Sequence, residues 1–388
     1  MGQPRLALAG VKNMGCEHYS HLLTLAERGD IELVALCDKD ADALRLPPRQ
    51  HSRQQLEVML GHVQELGKQH RLDVLHEKMQ HVCASLPRLY TDFDEMLARE
   101  TLDGLLIVTP NYLHRTMAEK ALARDIPVLC EKPLAPTVAD CEAVAAAERA
   151  SKAFVQVGLH MRYRKLNRDI KELLDANRLG KLKMIWCQEF RGDWNPSGTR
   201  CPDRNGMMTN WRCLQDPSGG SIVEKLCHDL DIFRWWIGAP PLRVAAFGGH
   251  GVHRDRETVD HADILVAFAN RVQVNISLSL FAPNHRFRGR YMGLIGDQAV
   301  LDFENLGNGF TVYRADGETV EHRNIEPETV PGFHAGCGTR LQLEDFVNCI
   351  TGGGVPFASS RIGLESVALA AAAELALAEG RIVEIDDL

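Results

Sequence analysis

Two groups of residues in this 388-residue chain have types and spacing suited to handling protons and developing charge. The first is Glu131-Lys132-Pro133, which directly follows the apolar run Ile126 to Cys130. A charged pair at the end of a buried strand is costly unless a ligand or partner needs it. Open α/β sheets bind ligands outside the carboxyl ends of their strands. Lys132 is therefore the first candidate for chemistry. The second group is Glu224, His228 and Asp231, at i, i+4 and i+7, a spacing that puts all three on one face of a helix. Gly219-Gly220 lets the backbone turn tightly into that helix, with Ser221 a candidate N-cap. An imidazole, whose ordinary pKa lies near working pH, suits removal of a hydroxyl proton. Taken alone, Glu224 and His228 read equally well as a solvated ion pair worth roughly a few tenths of a kcal/mol.

The elements around these groups alternate. Leu6 to Ala9, Ile31 to Cys37, Leu105 to Val108, Pro127 to Cys130 and Phe154 to Gly158 read as strands. Helical stretches fall at Tyr19 to Arg28, Leu113 to Ala123 and Thr137 to Ala150, the last with Thr137 as N-cap. Strands spaced by helices imply βαβ units and a parallel, doubly wound sheet. Between about residues 46 and 88 the pattern stretches, which predicts a helical insertion on the surface. After His160 the character changes. Lys183 to Phe190, Val244 to Phe247, Ala262 to Phe268, Val272 to Phe281, Tyr291 to Ile295 and Ala299 to Phe303 read as strands without regular helices between them. That predicts a large, open, mostly antiparallel sheet with one buried face. Helical patterns return at Leu341 to Ile350 and Gly363 to Leu377.

Gly10-Val11-Lys12-Asn13-Met14-Gly15 occupies the first strand-to-helix turn, where a dinucleotide fingerprint would lie. Lys12 stands where the usual pattern has its second glycine. Helix N-terminal amides still bind phosphate, and the Lys12 ammonium can supplement them. Asp38 ends the second strand, where an acid accepts hydrogen bonds from ribose hydroxyls and repels a 2′-phosphate. NAD is the expected cofactor, with NADP left open by Lys39 next door.

Net charge −8 argues against a nucleic-acid partner, and no run approaches the ~18 apolar residues of a membrane span. Eleven cysteines form no regular framework and no Cys-x-x-Cys pair, so neither disulfides nor a metal site is expected. A reducing cytoplasm fits.

These residues resemble the glucose–fructose oxidoreductase / inositol dehydrogenase (Gfo/Idh/MocA) family. The likeness runs through the first turn, Asp38, Thr109-Pro110-Asn111 with His114, Glu131-Lys132-Pro133, and Gly219-Gly220 leading to Glu224, His228 and Asp231. Two positions depart from the family pattern: Lys12 for glycine, and Glu224 where many members carry Asp. The resemblance implies a Rossmann domain over residues 1–160 and an α/β domain over 161–388 whose open sheet mediates homo-oligomers, dimer or tetramer. It implies a nicotinamide cofactor held by Gly10, Lys12, Asn13, Met14, Gly15, Asp38, Thr109, Pro110, Asn111, His114, Glu131 and Lys132. It also implies a sugar or cyclitol substrate.

With that resemblance, catalysis is the expected role of the helix group. His228 becomes the general base, Lys132 stabilises charge on the reacting oxygen, and Glu224 orients the imidazole or binds a neighbouring hydroxyl. Arg162, Tyr163, Trp211, Arg212 and Asp231 are further candidates to contact substrate, because an aromatic beside polar groups suits a sugar. Arg191, Asp193, Trp194, Asn195 and His334 are weaker candidates of the same kind. The leading expectation is a sugar or cyclitol dehydrogenase. The alternatives are an NAD-dependent glycosidase that oxidises, eliminates and re-reduces, and a non-catalytic dinucleotide sensor.

Overall fold

The computed structural model describes residues 2–61, 66–193, 200–203, 205–283, 289–304, 307, 309–317, 319–325 and 337–385. In the first part, strand β1 (Arg5–Ala9) leads to α1 (Met14–Arg28) and β2 (Glu32–Cys37). Then come α2 (Arg53–Gly61), α3 (Lys68–Val82), β3 (Arg88–Tyr90), α4 (Phe93–Arg99) and β4 (Gly104–Ile107). The layer closes with α5 (His114–Leu122), β5 (Val128–Cys130), α6 (Val138–Ala150) and β6 (Val155–Val157). The six strands are all parallel, in the order β3-β2-β1-β4-β5-β6. Their near-continuous apolar composition follows from burial on both faces. The order reverses between β1 and β4, which opens a crevice at their carboxyl ends.

The predicted insertion is the pair α2 and α3. It packs on α1, where Tyr19 Oη bonds His76 Nδ1 at 3.1 Å and contacts Met79 Sδ at 2.9 Å. The short β3 and α4 carry too little periodicity to be read from sequence.

The second part begins with α7 (Lys165–Asp175) and β7 (Leu182–Phe190). A small hairpin of β8 (Arg200–Pro202) and β9 (Met208–Asn210) precedes α8 (Gln215–Ser218) and α9 (Ser221–Ile237). Strands β10 (Pro241–Gly249), β11 (His261–Phe268), β12 (Gln273–Ser279), β13 (Gly289–Gly296), β14 (Ala299–Glu304), β15 (Gly309–Arg314) and β16 (Val320–Asn324) follow. Helices α10 (Cys337–Gly352) and α11 (Ser360–Glu379) and the edge strand β17 (Val383–Glu384) complete the chain. Nine strands form one sheet in the order β16-β15-β14-β13-β7-β12-β11-β10-β17. Every pairing is antiparallel except β7 with β12.

Register explains the burial of one face. Val244, Val266, Val274, Ile185, Leu294, Leu301 and Val312 are cross-strand partners in an unbroken apolar row. All seven are buried, and α9 and α11 pack beside them. Because side chains alternate along a strand, the next row points the other way. Helix α10 follows eight of the nine strands of this sheet yet packs back on the first domain, where Leu343, Phe346 and Val347 join its core. The cysteines whose side chains are described are free thiols, and no described helix is long and apolar enough to cross a membrane.

Candidate active site

The carboxyl ends of β1, β4, β5 and β6 present the turns that the sequence singles out. At the first turn Gly10 has φ +90°, and a Cβ there would lie 2.4 Å from Val108 O. A Cβ on Gly15 would lie 2.1 Å from Gly10 O, so only glycine lets α1 start this close to β1. Asn13 gives α1 no side-chain cap, and Gly15 N and Cys16 N in the first turn donate to Lys12 O at 2.8 Å and Asn13 O at 3.1 Å. Met14 packs against the first-domain core. Asp38 accepts from Val11 N at 3.1 Å and Asp40 N at 3.0 Å, fixing the edge of the turn. Lys12 has an acidic partner on the neighbouring strand end. Its ammonium bonds the Asp40 carboxylate, so its charge is already partnered.

At the second turn Thr109 Oγ1 points at Met117 Sδ, at 3.5 Å, and Pro110 precedes a 3-10 turn over Asn111–Leu113. Asn111 Nδ2 donates to Ser218 O at 3.2 Å, tying this turn to the segment before α9. His114 also departs from expectation. Its ring is fully buried, with Nδ1 2.9 Å from Pro133 O and Nε2 2.9 Å from Thr109 O. It braces the second and third turns against each other instead of facing the crevice.

The third turn carries the charged pair. Glu131 is buried and receives His18 Nε2 at 2.8 Å on one oxygen and Lys132 N at 3.0 Å on the other. Burial raises the Glu131 pKa, but His18 and the nearby cations reverse this and leave it below the usual carboxylate range. The Lys132 side chain crosses to the second domain, where Nζ donates to the backbone carbonyl of Glu224 at 2.9 Å. The Glu224 carboxylate lies 3.8 Å from the same ammonium. Burial pulls the Lys132 pKa down, yet Glu224, Cys227 and Glu131 together outweigh it and the net shift is upward, so the ammonium stays charged.

Helix α9 supplies the other half. Glu224 and His228 are one turn apart, and both are largely buried. The Glu224 carboxylate is turned toward cations: Arg212 Nε donates to Oε1 at 3.2 Å, and Lys132 lies on the same oxygen. Against the cost of burial, Lys132 and then Arg212 hold Glu224 down to about 2. Glu224 thus holds these two cations in place.

His228 packs edge-on against His160, with ring centroids 4.5 Å apart. Burial first, then His160 and Lys132, keeps the His228 pKa well below the usual imidazole range. Its Nδ1 is buried and has no partner among the described residues. A neutral ring beside a fixed ammonium is the state a general base needs before reaction.

Three candidates move out of the cleft. Asp231 is 1% exposed and forms a two-pronged pair with Arg162, both bonds at 2.7 Å. Arg162 is sandwiched near Trp235 and Phe357, and Tyr163 Oη donates to Asp345 Oδ2 at 2.7 Å. Arg162 and Tyr163 thus bond to α9 and α10, and both Asp231 oxygens are taken by Arg162. Trp211 is buried and serves as a platform, with the Arg212 guanidinium 4.5 Å from its ring centre. Arg191 bonds Glu189 at 2.8 Å, and Asp193 bonds Arg256 at 2.9 Å. Trp194, Asn195 and His334 lie outside the described residues.

Sequence reasoning missed His160, three residues after the end of β6, and His18 on α1. The position of His160 after a strand end was an available signal. Nothing local marked His18, whose partner is 113 residues away. It also missed a buried charge cluster behind His228. There Glu189 contacts Lys225 at 3.0 Å and Arg290 at 2.7 Å, and Arg290 lies 3.0 Å from Asp229.

Comparison with known proteins agrees with this architecture. Residues 46–159 match the model described as an oxidoreductase family with an NAD-binding Rossmann fold, and residues 167–302 match the GFO/IDH/MocA C-terminal domain. The chain belongs to the GFO/IDH/MocA family. Within this family it is 24% identical to inositol 2-dehydrogenase 1 of Saccharopolyspora erythraea over 305 residues, 76% of this chain and 81% of that protein. It is 27% identical to the 2,7-anhydro-N-acetylneuraminate hydratase of Mediterraneibacter gnavus over 175 residues, 45% of this chain and 44% of the hydratase. With several such relatives the chain matches only about half of the relative's length. An oxidoreductase domain protein from Kribbella flavida has the same fold, with TM-score 0.77, 22% identity and coverage of 99% and 100% of the two chains. The myo-inositol 2-dehydrogenase of Lactobacillus plantarum shares it at TM-score 0.72 and 18% identity, covering 98% and 99%.

Proposed function

We propose that this family member is an NAD-dependent oxidoreductase. It moves a hydride between the nicotinamide and a secondary alcohol or carbonyl carbon of a polyhydroxylated small molecule, of the sugar or cyclitol class. The observation that carries this reading is the seat of Lys132. Its ammonium, from the end of β5, rests on the Glu224 carbonyl one helical turn before a neutral His228.

The glycine turn fits a dinucleotide, since a Cβ on Gly10 or Gly15 would fill the cradle. Asp38 and Asp40 at the end of β2, with Lys12 already neutralised by Asp40, favour NAD over NADP. When bound, the nicotinamide ring supplies the hydride acceptor. His228 takes the hydroxyl proton as the C–H bond breaks, and Lys132 stabilises the negative charge building on the oxygen. Glu224 holds Lys132 and Arg212 in register, and Glu131 with His18 fixes the turn that presents Lys132.

The test is Lys132→Met and His228→Asn, assayed for NADH formation across inositols, aldoses and their derivatives. Each is expected to lower kcat by about 10²- to 10⁴-fold while NADH affinity stays close to wild type. Full turnover in either variant removes that residue from the mechanism.

The likeness to the hydratase over 175 residues favours a second reading with the same residues. There oxidation is transient, elimination follows, and the cofactor is re-reduced, as in NAD-dependent glycosidases. Product formed without net NADH distinguishes it.

A further inference from the structure

Among the described residues, the cations around the proposed reaction centre outnumber the carboxylates they are paired with. Lys132 and Arg212 share a single carboxylate, that of Glu224. Behind them Lys225, Arg290 and Arg191 face Glu189 and Asp229. Glu131, beneath Lys132, spends its two oxygens on His18 and on a backbone amide. Partly buried positive charge without a matching anion is costly. A positively charged nicotinamide would add to the imbalance.

Arg212 is built to receive the missing anion. Its guanidinium lies 4.5 Å from the Trp211 ring centre, and its Nε is held by Glu224 at 3.2 Å. Stacking and the Nε bond together fix the plane of the group. Its two terminal nitrogens bond no described residue, and the side chain keeps 20% of its surface exposed. A guanidinium fixed at its inner edge and open at its outer edge is a fork for two oxygens of one anion.

We infer that the substrate is an anionic polyol, whose carboxylate or phosphate is gripped by the outer edge of Arg212 while its reacting hydroxyl lies on Lys132 and His228. This rests on the hydride-transfer reading for the position of the hydroxyl, but the anion site itself can be tested by binding alone. A neutral sugar or inositol leaves the fork empty and the positive charge uncompensated. A sugar acid or a sugar phosphate satisfies both, and the two are separated by measurement.

The experiment is calorimetric titration of the NADH-loaded protein with matched sets: an aldose, its uronic acid and its 6-phosphate, in the gluco, galacto and manno series. In at least one series the charged form is expected to bind about tenfold or more tightly than the aldose. Whichever anion binds more tightly identifies the chemistry. Arg212→Gln is expected to bring charged and neutral forms to nearly equal affinity. Arg212→Lys, which keeps the charge and loses the fork, should recover only part of the preference. NADH affinity and the melting temperature of each variant establish that it is folded. Equal or weaker binding of the charged form in every series overturns the inference, as does an undiminished preference in Arg212→Gln. Tight anion binding with no redox change on supplying NAD⁺ overturns the hydride-transfer reading and leaves the anion site standing.

Discussion

At the residue scale, the surroundings of His228 favour its neutral form before any substrate arrives. Burial and two neighbours, His160 and Lys132, favour the uncharged ring. A base must be unprotonated to act, so activity is lost only as pH falls through its folded pKa. The acidic limb of kcat/KM for alcohol oxidation is therefore expected well below pH 6.5, the ordinary imidazole value, and a pH–rate profile measures it. An acidic limb at or above that value would remove His228 as the base. The same scale corrects Asp231. It shares a helix face with His228, as its spacing required, but its charge is claimed by Arg162, 69 residues earlier.

At the element scale, the site depends on where α9 begins. Gly219 and Gly220 have φ of +83° and +96°, as the tight entry predicted. A Cβ on Gly220 would lie 2.1 Å from Glu374 Oε1. Ser221 is not the N-cap: its hydroxyl donates to Val259 O at 2.6 Å, and Gly220 occupies the cap position. The first amides are served instead by Glu374 of α11, whose Oε1 accepts from Ile222 N at 2.8 Å. Burial raises the Glu374 pKa from 4.5 to about 7. Between those two values the folded chain holds a proton that the unfolded chain has released, so stability falls as pH rises through the window. Glu374→Gln cannot titrate. Its melting temperature relative to wild type should climb by roughly 2–6 °C between pH 4.5 and 7.5, read by calorimetry. A difference independent of pH would contradict this origin of the shift.

At the scale of the whole molecule, the nine-stranded sheet has one covered face and one open face. Phe247, Leu265, Met184 and Tyr313 stand exposed on the open side, with Phe247 at 75% and Leu265 at 52%. Exposed aromatic and aliphatic residues on a broad sheet mark an association surface. We propose that copies of the chain pair through this face, as a dimer or tetramer. Light scattering on wild type should give a multiple of the 43.2 kDa chain mass. Phe247→Glu with Leu265→Glu should reduce it to the single-chain value, with cofactor affinity retained because the face lies away from the Rossmann crevice. A wild-type monomer would end the proposal.

Much of this protein is written in local pattern. Apolar runs between helical repeats were enough to read five of the six Rossmann strands, because buried parallel strands are continuous stretches of Val, Leu and Ile. Alternation was enough for the central strands of the second sheet, and turn chemistry marked Lys132 and the face of α9 that holds His228. The three-residue β3 and the late strands β15 and β16 were too short or too polar to stand out. Tertiary structure alone decided which charges meet. Lys132 reaches α9 across 92 residues, His18 finds Glu131 across 113, and Arg162 takes Asp231 out of the cleft. The reason is physical. Backbone periodicity is set by neighbours in sequence, whereas the partner of a buried charge is set by where the domains close, and only the folded chain brings those residues together.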